Sequence, residues 1–390
     1  MSAETSQNIA VDRPRLDFVD GFRAIAALFV VLAHSYYQPQ NGFYATRWMT
    51  HLGLTHGRLA VVIFIVISGF CLGLPTAMKG DVIANVQEFF KRRALRILPP
   101  FYACLVISIL FILIWAHRTT GTVWDNSLPL SNSTVLNHLF LTHDLPVAWQ
   151  AKIAGLLGMG TVKLSESHGD INYPLWSIAV EWQLYLFFPL IVWSFRRLGT
   201  YVTVGWTVVA GLLAHILPQG FLDSATPWYL GQLTMGAASA RFVVQTKTES
   251  VKKLRTPAVL LGLSLLTILL LKGKSFHDRY EPYVDTAVAC FTALMLAVSY
   301  SDATELKYLF TRILSHPLLV RLGVFSYSLY LIHAPILHAA DQFCARFIFA
   351  TPELRFGFLL LFTPITIFGA YCFYMVFERP CIAILKRRKR

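Results

Sequence analysis

Apolar residues in this chain come in long unbroken runs, not in strict alternation or in narrow amphipathic stripes. The runs extend from about Phe22 to Tyr37, Leu59 to Leu74 and Ile97 to Ala116, then over 175–193, 201–217, 227–244, 257–272, 283–300, 318–338 and 356–378. Each comes near the roughly 17–25 residues a helix needs to cross hydrocarbon. A chain in lipid must pair its own backbone groups, so these runs predict helices and no open strands. Residues 117–170 form the longest polar segment, broken by Gly and Pro, and the parts 134–141 and 153–160 are expected to be short interfacial or re-entrant helices. The pattern predicts an all-α integral membrane protein, a bundle of about ten transmembrane helices forming a single domain over residues 1–390.

Composition agrees. Of 390 residues, 55% are hydrophobic and 14% charged, against about a quarter charged in soluble proteins. With the N-terminus inside, the inner segments hold 23 of the 34 lysines and arginines, the outer segments hold ten, and Arg23 falls within a span. That bias predicts both termini in the cytoplasm, as a polar tail over 1–20 and a basic tail over 380–390, in a multi-pass protein of the cell membrane. The net charge of +13 then reflects topology and contact with anionic lipid, and no nucleic-acid partner is expected. The first twenty residues lack an apolar core before a small-residue cleavage site, so no removed signal peptide is expected. Six cysteines are scattered through apolar stretches without a close pair, which suggests small membrane-buried side chains and neither a metal site nor a disulfide framework.

The chemistry is expected where polar groups interrupt the apolar runs. Arg23 and His34 sit in the first span eleven residues apart, on one helix face and about 16 Å apart along the axis. A cation at the centre of a membrane helix costs roughly 2.5–3.5 kcal/mol on insertion scales, and such groups usually face a bundle interior or a wet cavity. A histidine withdrawn from water is a competent general base toward a hydroxyl, though a lone one also serves as a helix-to-helix hydrogen bond. Arg93 and Arg96, in Lys91-Arg92-Arg93-Ala94-Leu95-Arg96, share a side if the third helix starts early. Two guanidinium forks then suit bidentate phosphate binding; a stop-transfer cluster is the plainer alternative. Glu181, inside the fourth span, has Ser177 and Tyr185 on its face and must be protonated or paired with a cation such as Arg23 or an arginine of the third helix. Ser326, Tyr330 and His333 follow helical spacing on the ninth span and form a polar stripe that either bonds helices together or lines a cavity. Glu378 and Arg379 look like a structural cap, and Ser68-Gly69-Phe70 like a close-packing motif.

These stretches together resemble the acyltransferase 3 family of membrane O-acyltransferases. LDFVDGFRAIAALFVVLAHS looks like its first helix, with Arg23 and His34 as its Arg-x10-His element; IFIVISGF, KRRALRILPPFY, PLWSIAVEWQLYLFFP and FSYSLYLIHAP resemble its later landmarks in order. One departure is Val62, where the family often has an acidic residue. The resemblance implies a cytosolic acyl-CoA, most often acetyl-CoA, as co-substrate, with no tightly bound cofactor or metal. The acyl group passes to a hydroxyl of a carbohydrate or glycosylated acceptor, and with no hydrolase-like domain appended the membrane core is expected to complete the transfer. It implies that Arg93 and Arg96, with Arg92 beside them, grip the phosphates of CoA. His34 is implied as base, Arg23 and Glu181 as catalytic partners, and Trp176, Ser326, Tyr330 and His333 as substrate or cavity lining. The competing function is a proton-coupled transporter without covalent chemistry, although no paired, interrupted repeats are visible.

Overall fold

The apolar runs are helices, and no strand occurs among the described residues. The structure, a computed structural model, describes residues 16–36, 53–115, 128, 130–156, 170–217, 221–347 and 352–387. The main helices are α1 (Asp17–Tyr36), α2 (Leu59–Ala77), α3 (Val86–Ile114), α4 (Asn132–Leu139), α5 (Val147–Leu156), α6 (Trp176–Leu198), α7 (Thr200–Ile216) and α8 (Tyr229–Gln245). They continue with α9 (Thr248–Lys252), α10 (Arg255–Arg279), α11 (Glu281–Asp302), α12 (Leu309–Leu314), α13 (Pro317–Val324), α14 (Ser326–Phe347), α15 (Pro352–Leu361), α16 (Thr363–Phe373) and α17 (Arg379–Arg387).

Among the described residues seven segments are long and apolar enough to cross a membrane, and an eighth joins them if α13 and α14 count as one span. Every expected span has a helix at its position, but α7 and α8 are only 17 residues each. The run expected as one span over 318–338 is bent by 71° between α13 and α14. The helix N-terminal to the bend starts at Pro317, whose fixed φ and missing N–H suit a first turn. The third helix begins well before the expected Ile97, because Asn85 accepts from the Glu88 backbone N–H and caps it there. Its basic cluster is therefore helical.

α2 lies at the centre, against α1, α6, α8 and α11. Its small residues explain how. A Cβ on Gly69 would come 2.0 Å from the Leu233 carbonyl oxygen, and one on Gly236 would come 2.0 Å from that of Val66. Only glycine lets the two backbones approach so closely. At the other extreme, Leu260, Leu263, Leu266 and Leu271 of α10 are exposed, as expected of a lipid-facing surface.

The described part of the polar segment contains two short helices, the second beginning earlier than expected, at Val147, while 157–160 of the expected second helix lies outside the described residues. Gln183 of α6 donates to the Leu141 carbonyl (3.0 Å) and to Asp144 Oδ1 (2.9 Å), fastening this segment to the bundle. His138 and His143 stack face to face, 3.9 Å apart. Burial pushes the Asp144 carboxyl up to about 7 and the His143 imidazole down to about 4.

Candidate active site

A cavity of about 420 Å³ opens between α1, α2, α3, α6, α14 and α17. Four arginines line it, Arg23, Arg92, Arg93 and Arg96, together with three carboxylates, Asp20, Glu181 and Glu378. Several charges around one space inside apolar helices need a physical reason. Each is costly in hydrocarbon, and placing them around a shared cavity lets them neutralise one another and meet water or ligand.

The arginines divide by element. Arg23 rises from α1, donating to Asp20 Oδ1 and to Cys71 Sγ, each at 3.4 Å. Arg92, Arg93 and Arg96 come from the N-terminal part of α3 that Asn85 caps. Arg92 Nε donates to Glu88 Oε1 at 2.7 Å, so its charge is partly engaged. Arg93 Nε is buried and has no hydrogen-bond partner among the described residues. Neighbouring guanidinium groups with unused donors, facing a cavity, suit an anionic ligand with several oxygens.

Glu181 reaches the cavity from α6. It was expected to be protonated or paired with a cation, and no ion pair involving it occurs among the described residues. Its Oε1 instead accepts from Ser68 Oγ at 2.5 Å and from the Tyr185 hydroxyl one turn along its own helix. Arg23 turns toward Asp20 and Cys71 instead. Ser68, expected as packing, is thus part of the site, while its neighbour Gly69 does the packing.

Glu378 was not foreseen here either. It is buried and ends a π-helical turn, Tyr374–Glu378. The wider turn directs the carboxylate inward, where its Oε2 accepts from Ser328 Oγ at 2.5 Å. The signal available in the sequence was a carboxylate closing a strongly apolar run. Tyr327 also lines the cavity and donates to the Ile97 carbonyl at 2.9 Å.

Of the remaining expected site residues, Ser326 and Tyr330 line the cavity, whereas His34, His333 and Trp176 are not in its lining. The Tyr330 hydroxyl lies 2.6 Å from Ser177 Oγ and donates to the Pro174 carbonyl at 3.1 Å. Its ring is 5.7 Å from that of His333, whose Nε2 is 2.7 Å from His34 Nδ1. His34 therefore lies past the Tyr330 end of the cavity, half-buried, with Tyr173 5.9 Å away. Pro335 lacks an N–H and leaves the Leu331 carbonyl without its helical partner. Asn172 Nδ2 (3.2 Å) and Cys104 Sγ (3.1 Å) take its place, which anchors α14 beside the histidines. Trp176 packs elsewhere, its ring 4.9 Å from the Arg58 guanidinium, which also pairs with Glu281 and lies 3.9 Å from Asp285.

The described residues contain no cluster of three or more metal-ligating side chains. No solved structure matches the chain. In sequence it is 25% identical to the acyltransferase MdmB of Streptomyces mycarofaciens, over 96% of this chain and 94% of that protein. It is 23% identical to the peptidoglycan O-acetyltransferase OatA of Listeria monocytogenes, and 22% identical to the putative peptidoglycan O-acetyltransferase YrhL of Bacillus subtilis. These alignments cover 87% and 82% of this chain but 54% and 48% of those proteins, so the chain spans about half their length. A family model described as an acyltransferase domain matches residues 16–375, a stretch that takes in every arginine and carboxylate lining the cavity except Glu378. With nearly the whole multi-pass helical core covered by that match, the chain belongs to the acyltransferase 3 family of membrane O-acyltransferases.

Proposed function

We propose that this protein transfers an acyl group, acetyl in the first instance, from acyl-CoA to a hydroxyl of a carbohydrate or glycosylated acceptor in the cell membrane. The observation that carries the reading is the cavity itself, where three arginines of one helix end share a space with Arg23 and Glu181. Arg93 and Arg96, with Arg92, bind the phosphates of the donor, because several fixed forks match phosphate oxygens better than a single mobile ammonium. The acyl thioester then extends past Arg23 toward Tyr330 and the histidines. His34 removes the proton of the acceptor hydroxyl as its oxygen attacks the acyl carbonyl. The carbon–sulfur bond breaks, and the CoA thiolate takes up the proton that His34 held. Glu181, fixed by Ser68 and Tyr185, is proposed to orient the acyl arm where it passes Arg23.

Relatives named as peptidoglycan O-acetyltransferases support a carbohydrate acceptor. Together with the acyltransferase match they support transfer chemistry over the proton-coupled transport alternative. We also propose the full ten-span topology with both termini cytoplasmic, α7 and α8 each crossing as short spans; this puts the arginine end of α3 on the side where CoA is found. Mass spectrometry of cell-envelope glycans from cells with and without the protein tests the activity. Base-labile acetyl esters present only with the protein are the expected result, and identical glycans contradict it.

A further inference from the structure

The two imidazoles beyond Tyr330 can be assigned nitrogen by nitrogen. His333 Nδ1 is 2.6 Å from the Tyr330 carbonyl oxygen and 3.2 Å from that of Leu329. A carbonyl oxygen only accepts, so His333 Nδ1 must carry a hydrogen. His333 is fully buried, and no ion pair reaches either ring among the described residues. In the neutral ring that this setting favours, His333 Nε2 is then a bare acceptor. It faces His34 Nδ1 at 2.7 Å, and the two rings lie within 17° of parallel with centroids 5.0 Å apart, so they meet nitrogen to nitrogen along their edges. One hydrogen must lie between those nitrogens, and it belongs to His34.

We infer that His333 is a positioning residue for the transfer reaction: by accepting the hydrogen of His34 Nδ1 it holds His34 in the tautomer whose Nε2 lone pair is free to take the acceptor's proton. The inference rests on the proposed role of His34 as base. It assigns His333 the work that a buried carboxylate does in a serine-hydrolase triad, fixing tautomer and ring orientation, but with a neutral partner suited to a membrane interior. When His34 Nε2 takes the hydroxyl proton, Nδ1–H goes on donating to His333 Nε2, now from a charged ring and so through a stronger bond. The proton leaves again with the CoA thiolate, and His333 ends the cycle unchanged. The backbone of α14 sets the arrangement, since Tyr330 supplies the carbonyl that orients His333 while Ser177 and Pro174 hold the Tyr330 hydroxyl.

The test uses membranes containing the full chain, radiolabelled acetyl-CoA as donor, and three variants compared at equal protein level. In His333→Leu, which keeps the volume and removes the acceptor, kcat is expected to fall by about 100-fold or more while KM for acetyl-CoA stays within about twofold. In His333→Gln, whose Oε1 replaces Nε2 as acceptor, kcat is expected to remain within about tenfold of wild type. A merely structural histidine would not separate these two substitutions in kcat alone. The inference is overturned if His333→Leu keeps wild-type kcat while His34→Ala is inactive. It is overturned equally if a folded His333→Gln is as inactive as His34→Ala, which decides the matter should the leucine variant not accumulate. Full activity in His34→Ala removes instead the role of the base itself, and with it the need for a positioning partner.

Discussion

Charge-assisted hydrogen bonds are worth about 1.5–3 kcal/mol each, so the arginines of α3 should differ by how free their donors are. Arg93 has a buried Nε with no partner among the described residues, whereas Arg92 is held by Glu88. Arg93→Ala is expected to raise KM for acetyl-CoA by about 10–100-fold, and Arg92→Ala by less. Arg93→Lys should recover only part of the loss, because one ammonium cannot reproduce the guanidinium fork. Initial-rate kinetics over a range of acetyl-CoA concentrations check this, and an unchanged KM in Arg93→Ala contradicts the phosphate role. A second residue-scale effect concerns stability. The Asp144 carboxyl titrates at about 7 in the folded chain against 3.8 ordinarily, so the folded state holds its proton to higher pH than the unfolded state. Its ionisation therefore destabilises the fold progressively as pH rises from about 4 to about 7, and by a constant amount above that. Asp144→Asn keeps an oxygen for Gln183 and cannot ionise. Its gain in thermal stability over wild type, followed by fluorescence in detergent, is expected to grow across that window and then level off; His138 and His143, common to both proteins, cancel in the comparison.

At the scale of the helices, close approach and exposure give opposite expectations for the same chemical change. A Cβ at Gly236 meets the backbone of α2, whereas one at Gly205 on α7 meets nothing within 4 Å. Gly236→Ala is expected to destabilise by about 1–3 kcal/mol or more through overpacking. Gly205→Ala should be neutral or gain up to about 1 kcal/mol from helix propensity. Paired melting curves distinguish them. Helix positions were legible in the sequence because lipid demands apolar runs, and α1, α2, α6 and α11 lie close to where those runs predict them. Breaks were less legible. The bend at Phe325 and the early start of α3 depend on local caps and turns that hydropathy does not register. The same division holds for the site. Arg23, Glu181 and the α3 arginines stood out as charges among apolar residues. Ser68 did not, because a small residue in a membrane helix reads equally well as packing. Glu378 looked like a helix end until the π-helical turn carried it inward. The pairing of His34 with His333 spans 299 residues, and only the folded topology brings them together.

For the whole molecule, the proposed order of spans places the arginines of α3 at one membrane face and His34 three turns deeper along α1. Reporter fusions at each terminus are expected to read as cytoplasmic, and a fusion between α7 and α8 as extracytoplasmic; the reverse at any of these points breaks the ten-span topology. The account as a whole stands on one joint claim, that a cavity lined by arginines delivers an acyl group to a histidine beyond its inner end. Counting radiolabel passed from acetyl-CoA to carbohydrate, in membranes with wild-type protein and with His34→Ala at matched levels, tests it most directly. The account predicts label incorporation by the wild type and a loss of about 100-fold or more in the variant. Equal incorporation by the two proteins would contradict it.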